Sequence, residues 1–171
     1  MHRQWIGGIW VALAVALCGP PTAAQQMPQQ VAQAAQNSVL ATAQYSQDPD
    51  LRCDLLEVKR VSGGALMVRW RIINTAGQAG AGGFASTSGG KAIPYRFSWD
   101  QLFVIDPAEN KKYLPLTDSK NDRIAEVWEG DLAPGQQRLD WAKFPAPPPG
   151  STKISVTIPK FAPFEDVPVA Q

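Results

Sequence analysis

The chain predicts an all-β protein, an antiparallel sandwich of about seven strands, and three observations point there. Ala65–Asn74 (ALMVRWRIIN) alternates Leu66, Val68, Trp70 and Ile72 with Met67, Arg69 and Arg71, the period-two pattern of a half-buried strand. Wound as a helix, the same residues would scatter the two arginines around the cylinder and leave no clean apolar stripe. Ser151–Pro159 repeats the pattern, with Ile154, Val156 and Ile158 against Lys153, Ser155 and Thr157. Between and around these strands, turn-forming residues recur at short intervals and no segment carries a helical period.

The 171 residues divide into three parts. Residues 1–24 have the layout of a signal peptide: Arg3 near the start, an uncharged apolar run Trp5–Leu17, then Thr22-Ala23-Ala24 as a cleavage site. The apolar run is shorter than the roughly 20 residues a membrane-spanning helix needs. Cys18 stands where a lipoprotein cysteine could stand, but Leu17 before it is bulky, so membrane contact through a lipid on Cys18 ranks behind cleavage. Residues 25–50 hold eight glutamines with many alanines and little to bury, and read as a solvated linker with nascent helix at most. Residues 51–171 are the sandwich domain.

Within that domain Leu51–Val61 is expected to be a strand with Leu56, Val58 and Cys53 inward, joined by Ser62-Gly63-Gly64 to the central strand as a hairpin. Thr75–Lys91 is a long glycine-rich loop; no lysine and hydroxyl stand at the set spacing of a phosphate-binding loop, and no helix follows it. Ile93–Asp106 is the next strand system, anchored by Phe97, Trp99 and Phe103, and Asp106–Asn110 turns it into Lys111–Leu116. Arg123–Glu129 is a short strand with Ile124 and Trp128 inward. Leu132–Gly135 (LAPG) is a tight turn before Gln137–Phe144, where Leu139 and Trp141 share a face. Pro145–Gly150 cannot join a hydrogen-bond ladder and must be a connection. The tail, with Phe161 and Phe164, is expected to lie over an open end of the core. Trp70, Trp99, Trp128 and Trp141 suit the interior, each contributing about 2–3 kcal/mol if buried.

Composition excludes several chemistries. The one histidine is His2, within the signal segment, so the mature chain cannot build a Ser-His-Asp or Cys-His centre, a His-ligated zinc site or a His-ligated haem. Cys53 is then the only thiol, which rules out a cysteine zinc site or an internal disulfide, and its apolar neighbours make it a buried, inert thiol. Losing residues 1–24 removes Arg3 alone, leaving 15 basic against 15 acidic residues and no electrostatic footprint for nucleic acid. Carboxylate neighbours such as Glu126 with Glu129 or Asp131 read as solvated charges at strand ends. Asp118–Asp122 (DSKND) reads as a polar turn, since Lys120 interrupts its oxygen donors and no calcium-loop spacing is present. No cofactor is expected.

The order of motifs carries a resemblance. A strand ends at Asn74, an Asp106-Pro107 turn precedes Lys111-Lys112-Tyr113, and Leu132-Ala133-Pro134-Gly135 precedes Trp141-Ala142-Lys143-Phe144-Pro145. Over about residues 51–160 this resembles the bacterial extracytoplasmic immunoglobulin-like domains of the DUF4352 (telokin-like) type. The resemblance implies an immunoglobulin-like sandwich, export to the periplasm or beyond, and usually no known enzymatic activity. Its members are often lipoproteins, a feature that Leu17 argues against here.

The function expected from these readings is non-enzymatic binding of a protein or envelope partner. The expected contact surface is an exposed sheet face, such as the outer face of the central strand with Arg69 and Arg71, or the Thr75–Lys91 loop that carries Phe84 and Lys91. Anionic-ligand recognition by the two arginines competes with their pairing to acids on neighbouring strands. The alternative is a carbohydrate- or peptidoglycan-binding module using exposed tryptophans.

Overall fold

The computed structural model of the chain describes residues 38–76 and 90–171. The signal segment with Cys18, most of the Gln/Ala-rich stretch, and the middle of the glycine-rich loop with Phe84 lie outside the described residues. What is described is the expected antiparallel β-sandwich, built from eleven strands rather than about seven, several of them only two to four residues long.

Two long strands form its spine. Strand β2 (Leu51–Val61) and strand β3 (Ala65–Asn74) have the expected boundaries and pair antiparallel along their whole length. Gly63 and Gly64 close the hairpin between them with φ of +80° and +68°, a left-handed pair that side chains would oppose. On β3, Leu66, Val68, Trp70 and Ile72 are fully buried, as the alternation requires. The phase of β2 differs from expectation. Leu51, Cys53 and Leu55 point inward, and the register then slips between Leu55 and Glu57. This β-bulge absorbs Leu56, which is half-buried, and returns Val58 to the core.

Strand β1 (Ala41–Gln44) adds to the free side of β2, with Ala43 opposite Cys53. The sheet therefore begins inside the segment expected to be linker: Ala43 and Tyr45 are buried, enough apolar surface to dock a short edge strand. Strand β4 (Ile93–Tyr95), a 3-10 turn at Trp99–Gln101 and strand β5 (Phe103–Asp106) replace the single strand system expected there. Strand β6 (Lys111–Tyr113), strand β7 (Ala125–Glu126) and strand β8 (Gly130–Leu132) follow. Strand β9 (Gln137–Pro145), strand β10 (Lys153–Thr157) and strand β11 (Phe164–Pro168) complete the set. One sheet runs β1-β2-β3-β9-β7, a second β11-β10-β5-β6, and β4 pairs β8 as a two-stranded ribbon.

A single apolar core takes side chains from all three sheets. It includes Leu55, Val58, Trp70 and Phe144 from the first, Val104, Ile154 and Val156 from the second, and Tyr95 and Leu132 from the ribbon. The tail buries Phe161 and Phe164 in this core and also extends the sheets. Phe164–Pro168 pairs with β10, and Ala170 then crosses to the first sheet, where its N–H donates to the Val58 carbonyl and its carbonyl accepts from Arg60 N–H. Those β2 groups lie beyond the reach of β1, so the chain end satisfies a ladder that would otherwise be open.

Candidate functional site

Strand β9 decides which side chains face solvent. It pairs with β3 so that Phe144 sits opposite Leu66, Ala142 opposite Val68, and Asp140 opposite Trp70. Residues directly opposite share a face. Asp140, Ala142 and Phe144 are therefore buried, while Leu139 is 50% exposed and Trp141 lies on the outer face. This corrects the expectation of four core tryptophans: Trp70 alone is fully buried, and Trp99 and Trp128 pack half-buried against the core. The reason is volume. The Trp70 indole fills the space between the sheets, and the positions beside it on β9 must be small.

The outer face of the five-stranded sheet is ordered in cross-strand rows. Lys59, Met67 and Lys143 form one; Glu57, Arg69, Trp141 and Glu126 form the next; Asp54, Arg71 and Leu139 form the third. The indole N–H of Trp141 donates to Glu126 Oε2 at 3.1 Å, which fixes the ring on the surface. Arg69 reaches Glu57 at only 3.7 Å, whereas Arg71 donates to Asp54 Oδ2 at 2.8 Å. Arg52 joins Asp54 from the other side at 3.0 Å, and Thr42 Oγ1 donates to the same carboxylate at 3.1 Å. Arg71 is thus committed to a nearly buried acid, and Arg69 is loosely held. Lys59 and Lys143 have no ion-pair partner among the described residues. Glu57, Lys59, Val61, Met67, Arg69 and Trp141 line an open groove of about 430 Å³. Lys91 is exposed away from these rows at the end of the glycine-rich loop, and its carbonyl accepts from Asn74.

Asn74 is the second organising residue. Its side chain is completely buried; Nδ2 donates to the Leu132 carbonyl at 2.7 Å and to the Lys91 carbonyl at 3.1 Å, and Oδ1 accepts from Ala76 N–H at 2.9 Å. Its own carbonyl accepts from Gly135 N–H at 2.9 Å. Gly135, at φ +74°, follows Pro134 in a type II turn closed by Gln136 N–H to the Ala133 carbonyl. The strand-ending Asn and the LAPG turn, separate motifs in the sequence, are one hydrogen-bonded junction that pins both ends of the glycine-rich loop region.

A third cluster is buried under β9. Asp140 is 1% exposed, and its Oδ1 accepts from the backbone N–H of Trp128 at 3.2 Å while Oδ2 has no hydrogen-bond partner among the described residues. Among the described residues Trp70 Nε1 and Tyr95 Oη also lack partners. Burial pushes the Asp140 carboxyl up to about 7; the Trp128 amide and the facing Trp70 indole work against that rise without the latter reaching hydrogen-bond geometry. Burial raises the Cys53 thiol and the Tyr95 phenol as well, with Asp140 adding to both. Cys53 is thus buried, as expected, and its surroundings favour the protonated thiol.

The remaining acidic groups do not converge. Asp131 pairs loosely with Arg96 at 3.4 Å, and Glu126 is occupied by Trp141. In the Asp118–Asp122 turn, Asp118 Oδ1 accepts from the backbone N–H of Lys120 and Asp122, which spends its lone pairs on the loop itself. Among the described residues no group of three or more His, Cys, Asp or Glu side chains could hold a metal ion. No family model, curated protein or solved structure matches the chain.

Proposed function

We propose that this is an exported, non-enzymatic binding domain of the bacterial envelope, immunoglobulin-like in kind, which engages a protein partner through the outer face of its five-stranded sheet. The observation that carries the proposal is the outward Trp141 between Arg69 and Glu126, with Leu139 half-exposed one row away and Met67 in the neighbouring groove. A tryptophan and an arginine at the centre of a surface, ringed by residues that exclude water, are the composition of a binding hot spot. The loosely held Arg69 and the unpaired Lys59 and Lys143 favour a partner surface with acidic groups. Arg71 contributes less, because Asp54 already satisfies it. The motif order from Asn74 to Pro145, similar to the DUF4352-type domains, supports export and the absence of catalysis.

The test is capture from envelope extract with the wild-type protein, with Trp141→Ala combined with Arg69→Ala, and with a chain lacking residues 77–89. A partner that the wild type and the loop deletion retain, and the double variant loses, supports the sheet face. Equal capture by all three refutes it. A glycan-binding reading is favoured by the surface indole alone: added peptidoglycan fragments or polysaccharide should then shift Trp141 emission, and no shift at saturating glycan excludes it.

A further inference from the structure

The buried carboxyl under β9 has a placement that neither the core nor the outer face needs. Asp140 stands opposite Trp70 in the sandwich interior, where an apolar residue of similar size would pack without desolvating a charge. Its one hydrogen-bonded oxygen holds the backbone of Trp128. Trp128 lies where the chain leaves the five-stranded sheet at β7 and enters the ribbon at β8, so this bond fastens the crossing between two sheets. The crossing is tightly fitted: a Cβ on Gly130 would come within 2.8 Å of the Trp128 ring, and the Arg138 guanidinium lies 5.5 Å from that ring's centroid. We propose that Asp140 is a proton-operated latch: ionised, it fastens the Trp128 crossing to β9, and protonated, it loosens that crossing.

The groups around the carboxyl make such a change feasible. Cys53 on β2 and Tyr95 on β4 face it and stay neutral, Trp70 on β3 offers an N–H, Glu126 on β7 opposes its charge, and Arg138 on its own strand favours it. Among the described residues no cation forms an ion pair with Asp140. An amide donating to a carboxylate makes roughly twice as strong a bond as one donating to a neutral acid, so the proton changes the hold on Trp128 directly. Burial places the transition near neutral pH. The inference does not depend on what the outer face binds.

The experiment is a pH titration of the full chain, labelled with ¹³C and ¹⁵N, followed at the Asp140 carboxyl carbon and the Trp128 backbone amide between pH 5 and 9. The latch requires both signals to move with one midpoint near 7, and Trp128 amide exchange, corrected for its intrinsic rate, to be several-fold faster at pH 6 than at pH 8. Glu126→Gln should lower that midpoint and Arg138→Gln should raise it, since one removes a repelling charge and the other an attracting one. In Asp140→Asn the Trp128 amide should lose the transition. A carboxyl signal that titrates in the ordinary range near 4, or a Trp128 transition unchanged in the Asn variant, overturns the proposal. If the Asn variant does not fold, an unmoved midpoint in both charge variants overturns it equally.

Discussion

Replacing Asn74 with alanine should destabilise the domain by about 2–5 kcal/mol, although the residue belongs to no catalytic or apolar set. The magnitude follows from three hydrogen bonds made by one completely buried side chain. Leu132 and Ala76 are themselves buried, so their carbonyl and amide would have no replacement partner; each such orphan costs about 1–3 kcal/mol. Lys91 is exposed, and water can take over at its carbonyl, so its bond adds little. Against a typical total of about 5–15 kcal/mol, the loss is large. Asn74→Asp should be at least as damaging, since a carboxylate keeps the acceptor for Ala76 but faces two carbonyl oxygens. Urea unfolding at pH 7, followed by tryptophan fluorescence, measures the effect as a lower midpoint with an unchanged slope. A loss below about 0.5 kcal/mol in the alanine variant would refute the junction as a structural determinant.

Three further outcomes follow from the same packing. Because the folded Asp140 carboxyl titrates near 7 and an unfolded aspartate near 3.8, its contribution to stability is fully present below pH 3.8 and is lost as pH rises through 7. Asp140→Asn should therefore gain about 3 kcal/mol on the wild type between pH 5 and pH 8 in urea unfolding, and a constant difference would contradict the burial argument. Asp54, with a side chain 2% exposed, depends on Arg52 and Arg71, which are 40% and 28% exposed. The double change Arg52→Gln, Arg71→Gln strands the buried charge and should cost more than Asp54→Asn, which leaves two arginines that water can solvate; the reverse order of midpoints would exclude this asymmetry. Trp141→Ala, on the outer face, should change stability by less than about 1 kcal/mol, whereas Trp70→Ala should cost about 3–5 kcal/mol.

The spine of the fold was legible because β2 and β3 are long enough for alternation and a two-glycine turn to fix their ends. The all-β class followed from them and from Ile154, Val156 and Ile158, which are fully buried as expected. What escaped the sequence was phase and partnership. On β9, Leu139 and Trp141 are more apolar than Asp140 and Ala142, so local hydropathy assigns the wrong face; only the cross-strand register with Trp70 corrects it. The bulge at Leu56 hides in the same way, as one extra apolar residue in an apolar run. Strands β1 and β11 lack a pattern of their own, and exist because β2 and β10 present open ladders to them. Of the surface residues expected to act, Arg69 stands in the groove and Arg71 is held by Asp54, the acid-pairing outcome. Asn74 and the LAPG turn were both visible as motifs, but their contact across 58 residues was not.

Acrylamide quenching of two proteins that each keep a single tryptophan, Trp70 or Trp141, with phenylalanine at the other tryptophan positions, measures the two faces of the sheet directly. The account predicts blue, poorly quenched emission from Trp70 and readily quenched emission from Trp141. Equal protection of both rings would mean that β9 presents the opposite face to the core, and the binding surface assigned to Trp141 would not exist.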